Sequence, residues 1–302
     1  MEHHHSHSHN HDIKGRKLVI TIILNTVITV SQIIGGLLSG SLSLLSDALH
    51  NFTDVISLLI SYIATVLSKK EASTKRTFGY KRAEIIAAFI NSSTLIIVAI
   101  ILIIEAIKRF SHPQEIESEL VIWLSLLAIL ANGFSVLLIK KHAENNMNMR
   151  SAYLHLLTGM LASVAVLFGG LLMKFYHLYW IDAVLTLIIA LYLIWVSYKL
   201  LKESFNVLML FTPDTVKIES IVAEIQKQPL IKNVHHVHIW QLNDSEMHFE
   251  AHIDFNTDIK LSEFENILNE IEETLFQTYQ INHVNIQPEF KKDDSKFIIV
   301  QD

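Results

Sequence analysis

Six apolar blocks dominate this chain, and each is long enough to cross the ~30 Å hydrocarbon core of a bilayer as a helix. They run from Leu18 to Leu38, Leu42 to Leu67, Ile85 to Ile107, Leu120 to Ile139, Ala152 to Met173 and Trp180 to Leu201. All four prolines, at positions 113, 213, 229 and 288, fall outside them, as unbroken helices require. Although 24 Lys+Arg and 30 Asp+Glu are present, 51% of the 302 residues are apolar, so the apolar residues must be gathered into these blocks. The pattern predicts an all-α membrane domain of six helices over residues 16–210. The first block has no small-residue cleavage pattern behind it and reads as a retained span rather than a signal peptide.

Basic residues near the block ends give the orientation. Fourteen lie on one side, among them Lys14, Arg16, Lys17, Lys69, Lys81 and Lys199, whereas Lys108, Arg109 and Lys174 are the three on the other. This bias places both termini in the cytoplasm, in a multi-pass protein expected in the cell membrane. The net charge of -6 comes from acids loaded into the last third, and no basic stripe for nucleic acid is visible. With no cysteine in the chain, metal chemistry must use nitrogen and oxygen ligands, which argues against Cu(I). Residues 1–15 begin MEHHHSHSHNHD, a polar, histidine-rich cytoplasmic arm expected to be disordered and suited to weak metal capture.

Beyond Pro213 the blocks give way to short amphipathic elements. Residues 211–290 read as a small α+β domain. A helix is expected over Asp214–Gln228, with Thr212 or Asp214 as its cap, and another over Leu261–Tyr279. Strands are expected over Val234–Leu242, Glu246–Phe255 and Ile281–Gln287. The order implies two helices on one face of a three-stranded sheet. Alternation then puts His236, His238, Trp240, His248, Glu250, His252, His283, Asn285 and Gln287 on the other, polar face. Residues 291–302 form a C-terminal tail.

His50 and Asp54 stand four residues apart in the second block, on one face of a helix. His155 sits near the start of the fifth block, and the residue four positions on is Gly159. Ionisable groups in lipid are costly, roughly 2.5 to 3.5 kcal/mol each on insertion scales, and so point to function. Imidazole and carboxylate facing each other from two helices suit zinc, and a three-ligand set can be completed by water. Cadmium and cobalt fit the same donors, manganese less well. No H-E-x-x-H pattern accompanies these histidines, so a metalloprotease is not expected and the chain is not read as an enzyme.

Several motifs fall in order along the chain: the H-x-x-x-D of the second span, Thr77-Phe78-Gly79-Tyr80-Lys81-Arg82-Ala83-Glu84, Arg150-Ser-Ala-Tyr-Leu-His155, Trp180-Ile181-Asp182 and Thr212-Pro213. Together they resemble the cation diffusion facilitator family, over residues 15 to 290. The resemblance implies six-helix protomers that form homodimers, a ferredoxin-like cytoplasmic domain, and proton-coupled export of zinc or related divalent cations. Its transport site would use His50, Asp54, His155 and position 159, usually Asp in the family. Gly159 then stands either for an inactivating change, the reading preferred here, or for a site completed by water. The resemblance also implies cytoplasmic metal ligands at His236, His252 and Glu289, with His238, His248 and His283 as additional donors. Residues 68 to 81 lack His and Asp, so no site is expected there. A membrane sensor that binds zinc without moving it is the alternative function.

Overall fold

A computed structural model describes the backbone of residues 9–68, 70, 72–143 and 147–300, and the side chains of these except 9–22, 54, 57–66, 68, 138–143 and 147–156. The chain divides into two compact units, residues 1–63 with 90–200, and 64–89 with 201–302.

Six long helices account for the apolar blocks: α1 (His9–Ser39), α2 (Leu42–Ser68), α3 (Ala83–Ser111), α4 (Ser118–Ala143), α5 (Met147–Tyr176) and α6 (Trp180–Leu208). Among the described residues, four stretches are long and apolar enough to cross a membrane: Ala83–Ser111, Ser118–Leu137, Leu157–Tyr176 and Trp180–Leu208. Their outward positions carry large apolar side chains, including Ile97, Leu127, Phe168 and Trp195, as lipid contact demands. Polar side chains point inward instead. Asn25, Thr29 and Gln32 of α1, Ser46, Asp47, His50 and Asn51 of α2, Ser125, Asn132 and Ser135 of α4, and Ser163 of α5 are all buried. Their three- and four-residue spacing places them along one stripe of each helix.

Close helix approach relies on small residues. A methyl group at Gly35 would overlap Leu124, and one at Gly169 would overlap Leu185. The turn between α1 and α2 uses Gly40 at φ 72°, a left-handed conformation that glycine adopts without strain. The α2 N-terminus is capped from α6. Both carboxylate oxygens of the buried Asp182 accept hydrogen bonds, from the Leu42 amide at 2.8 Å, the Ser43 amide at 3.2 Å, and the Ser41 and Ser43 hydroxyls at 2.6 Å each. A negative group here satisfies orphan N–H donors and complements the helix dipole. Arg109 of α3 donates to the Gly40 carbonyl beside it.

The second unit contains α7 (Ile218–Ile225), β1 (Ile231–Asn243), β2 (Glu246–Phe255), α8 (Leu261–Tyr279) and β3 (His283–Glu289). The sheet order is β1-β2-β3, with β1 antiparallel and β3 parallel to β2. Ile221, Val222 and Ile225 of α7 and Ile267, Ile271 and Leu275 of α8 close over Val237, Ile239, Phe249, Ala251, Ile253 and Ile286 of the sheet. This is the expected small α+β arrangement, with β2 and α8 at their expected bounds. Two ends differ. The first helix begins at Ile218 rather than Asp214, because the Val216 amide bonds the Pro213 carbonyl and spends that segment in a turn. Neither Thr212 nor Asp214 caps it; the capping position is Lys217, without a side-chain bond. The last strand starts at His283, because Gln280 at φ 59° closes α8 and leaves Ile281 bonded to Leu275. The tail returns to the sheet: the His236 and Val237 amides donate to the Phe297 and Ile298 carbonyls at 3.1 and 2.8 Å.

Candidate functional site

In the membrane unit, His50 is buried on α2 with Tyr192 of α6 edge-on to its ring, 6.1 Å between centroids. Asp54 lies one turn on in α2 and His155 near the start of α5; both side chains fall outside the described residues. Gly159 of α5 faces His50 directly. A Cβ at this glycine would stand 3.6 Å from His50 Cδ2, 3.3 Å from Asn51 Oδ1 and 3.6 Å from Asn132 Nδ2. Position 159 therefore belongs to the same interior spot as His50, with α4 adding a neighbour through Asn132.

Beside this spot runs a buried hydrogen-bond chain. Gln32 Nε2 and Ser163 Oγ each donate to Asp47 Oδ2 at 2.7 Å, and Asn51 Nδ2 donates to Gln32 Oε1 at 2.8 Å. Asp47 thus links α1, α2 and α5. Gln32, Asn51, Asn132 and Ser163 escaped the sequence reading. Their signal was present as neutral polar residues at helical spacing inside apolar blocks.

In the second unit, one ligand atom each from His235, His252, Glu289 and Asp294 lies within 4.8 Å of the others. His252 Nδ1 is 3.0 Å from Glu289 Oε1, and His235 Nε2 is 3.3 Å from Glu289 Oε2. Two of the expected residues, His252 and Glu289, meet here. His236 lies beside the group rather than in it, stacked on the His252 ring with 4.6 Å between centroids. A register irregularity between His235 and His238, with His236 at φ 51°, breaks the alternation and brings the fully buried His235 into the cluster. Of the additional donors, His248 and His283 approach each other at 4.5 Å between ring centroids, and Trp240 stacks on His248. His238 sits against His236 instead.

Two lysines of the tail already serve this cluster. Lys296 Nζ lies 2.9 Å from Asp254 Oδ1 and 3.2 Å from Glu289 Oε2 and also pairs with Asp294, while Lys292 Nζ is 2.5 Å from Glu289 Oε1. Burial alone would raise the Glu289 carboxyl, but the two ammonium groups outweigh it and hold it below the usual carboxylate range. The same lysines, Lys296 first, hold Asp294 far lower. Burial pushes the His252 imidazole down, helped by His236 and Lys292, although Glu289 pulls it up. A depressed imidazole is neutral at neutral pH and keeps a lone pair for a metal. Two imidazoles and two carboxylates are a donor set that fits zinc or cobalt.

Residues 18–209 match the cation efflux transmembrane domain, and residues 213–291 match the cytoplasmic domain of cation efflux proteins. The chain is 37% identical to a cadmium, cobalt and zinc/H(+)-K(+) antiporter of Bacillus velezensis, over 96% of this chain and 92% of the relative. It is 34% identical to the metal cation efflux system protein CzcD of Cupriavidus metallidurans, over 90% and 85%. Identity is 32% with the zinc transporter ZitB of Pectobacterium atrosepticum, over 97% and 91%.

Proposed function

Because the chain belongs to the cation diffusion facilitator family of cation efflux proteins, we propose that it exports zinc from the cytoplasm in exchange for protons, with cadmium and cobalt as further cargo, through a site that works without a carboxylate at position 159 although the sequence alone favours an inactivating change there. One observation carries the site assignment: His50 of α2 and position 159 of α5 converge on one buried polar spot between apolar helices. Six spans with both termini in the cytoplasm of a cell-membrane protein fit the 14-to-3 distribution of basic residues. The working unit is taken as a homodimer with a ferredoxin-like cytoplasmic domain, as the family resemblance implies. The relatives named above are transporters or efflux proteins, which favours export over a sensor.

Moving a doubly charged ion outward against an inside-negative potential costs about 4.6 kcal/mol per 100 mV, twice the ~2.3 of a single charge. One proton entering per zinc halves that electrical cost. Imidazole suits the exchange because zinc and protons compete for one ring nitrogen near neutral pH. In this cycle His50 and His155 take up the cation from the cytoplasm together with Asp54, and protonation from outside releases it.

Zinc uptake into proteoliposomes under an imposed pH gradient tests the reading. Flux should depend on the gradient and vanish in His50→Ala and Asp54→Ala. Flux no greater than in protein-free liposomes would sink it.

A further inference from the structure

Resting on the transport-site reading above, we infer that Asn51 and Asn132 supply the corner of the membrane site that Gly159 leaves without a carboxylate. Their amide oxygens bind the cation there in place of an acidic fourth ligand.

Gln32 turns its NH2 group toward the buried Asp47 and donates to Oδ2 at 2.7 Å. That leaves Gln32 Oε1 facing the other way, where it accepts from Asn51 Nδ2. Asn51 has one direction left for its oxygen. Oδ1 points at Gly159, 3.3 Å from where a Cβ would begin. The polarity of a buried carboxylate on α2 is thus passed through two amides and delivers an oriented oxygen into the site. Ser163 bonds the same carboxylate oxygen from α5 and holds the start of the chain.

Asn132 approaches from α4. It is 1% exposed, and neither its Nδ2 nor its Oδ1 has a hydrogen-bond partner among the described residues. A buried amide of this kind is costly unless something engages it. Its Nδ2 lies 3.6 Å from the Cβ position of residue 159. Rotation of the amide by half a turn brings the oxygen to the same place, since the two ends occupy equal volumes. Oxygen donors from amides are ordinary ligands for divalent cations. Beside His50, this corner therefore offers two neutral oxygens where an aspartate would offer one charged group. A site with one carboxylate fewer holds its cation less tightly and retains a net positive charge when loaded.

Five full-length chains in detergent decide the matter: wild type, Asn51→Leu, Asn132→Leu, Gly159→Asp and the double variant Asn132→Leu with Gly159→Asp. The readouts are zinc affinity by titration and the visible absorption of bound Co(II), which reports ligand set and geometry. The histidine arm and the cytoplasmic cluster are common to all five, so differences report the membrane site. Asn132→Leu should weaken binding at that site by about tenfold or more and alter its cobalt spectrum. Gly159→Asp should restore affinity in the Asn132→Leu background, because a carboxylate makes the amide dispensable. Asn51→Leu should behave as Asn132→Leu does. Unchanged affinity and spectrum in Asn132→Leu would overturn the proposal, as would a loss that Gly159→Asp fails to rescue in a chain whose thermal unfolding is unaltered. Should Asn132→Leu misfold, Asn132→Asp replaces it, and an unchanged cobalt spectrum there again overturns the inference. Flux separates the two readings: a wild type that binds through these amides but moves no zinc refutes the transporter, not the site.

Discussion

The two units both bury groups that water would otherwise hold, and they neutralise them by opposite means. In the membrane unit, two neutral side chains, Gln32 and Ser163, donate to the buried Asp47 carboxyl. Among the described residues, the Asp182 carboxylate likewise bonds amides and hydroxyls. In the other unit Asp254, Glu289 and Asp294 are met by the ammonium groups of Lys292 and Lys296. The difference follows from the surroundings. Bringing a lysine into an apolar bundle doubles the desolvation cost, whereas dipoles are cheaper to bury and their directions can be fixed by their neighbours. At the rim of a small domain a long cation keeps part of its hydration while pairing. Oriented dipoles therefore surround His50 in the membrane unit, and charged pairs surround the cluster of His235, His252, Glu289 and Asp294 in the other.

The sharpest way to break this contrast is Asp182→Ala. It leaves two amides and two hydroxyls at the head of α2 without their acceptor, a loss of about 3 kcal/mol or more. Thermal unfolding of the detergent-solubilised chain should drop further for this variant than for any other named here. Asp47→Leu comes next, at about 1 to 3 kcal/mol for the two donors it strands. It should also weaken cobalt binding, because Gln32 and Asn51 lose the constraint that orients them. An unchanged cobalt spectrum would show that the amide chain has structural value only.

Lys296→Met tests the other side. Removing a cation that already engages the cluster should tighten zinc binding there by about tenfold, while loosening the tail in the absence of metal. Zinc titration combined with hydrogen exchange at His236 and Val237 reads both effects. If affinity falls instead, Lys296 organises the donors rather than competing for them.

The smallest effect is on pH. Burial lowers the His248 and His252 imidazoles, so the folded domain resists protonation that the unfolded chain accepts. Their contribution is complete above about pH 6.5, the ordinary imidazole value, and declines as pH falls through it toward the lowered ones. Glu289 and Asp294, also lowered, extend the decline below about pH 4. Lys296 is raised, its ion pairs outweighing burial, so its share is present below about pH 10.5 and ends at higher pH. Exchange protection of the sheet should accordingly be flat from about pH 7 to 10 and fall on both sides.

How much of this was legible depended on whether the cause was local. The helix Leu261–Tyr279 and the strand Glu246–Phe255 announce themselves by their 3.6 and 2 periods, and the structure keeps both. His50 was readable because a charged ligand type in an apolar block is conspicuous. Asn51 and Asn132 were overlooked because a lone amide in such a block is not. The exchange of His235 for His236 could not be read from two adjacent histidines, since the irregularity that selects between them depends on pairing with β2 and on the returning tail. Lys292 and Lys296 were invisible for the same reason: what they neutralise is set by the sheet, not by their neighbours in sequence.

The grip of Asp182 on residues 41 to 43 has a mechanical meaning as well. It pins the beginnings of α2 and α6 to one point, and Arg109 draws the turn at Gly40 to the end of α3. Two rods fastened at one end can only swing about the fastening. In the transport cycle proposed above, the rearrangement that exposes His50 first to one side and then to the other would use this corner as its fulcrum, with α2 and α6 as its levers.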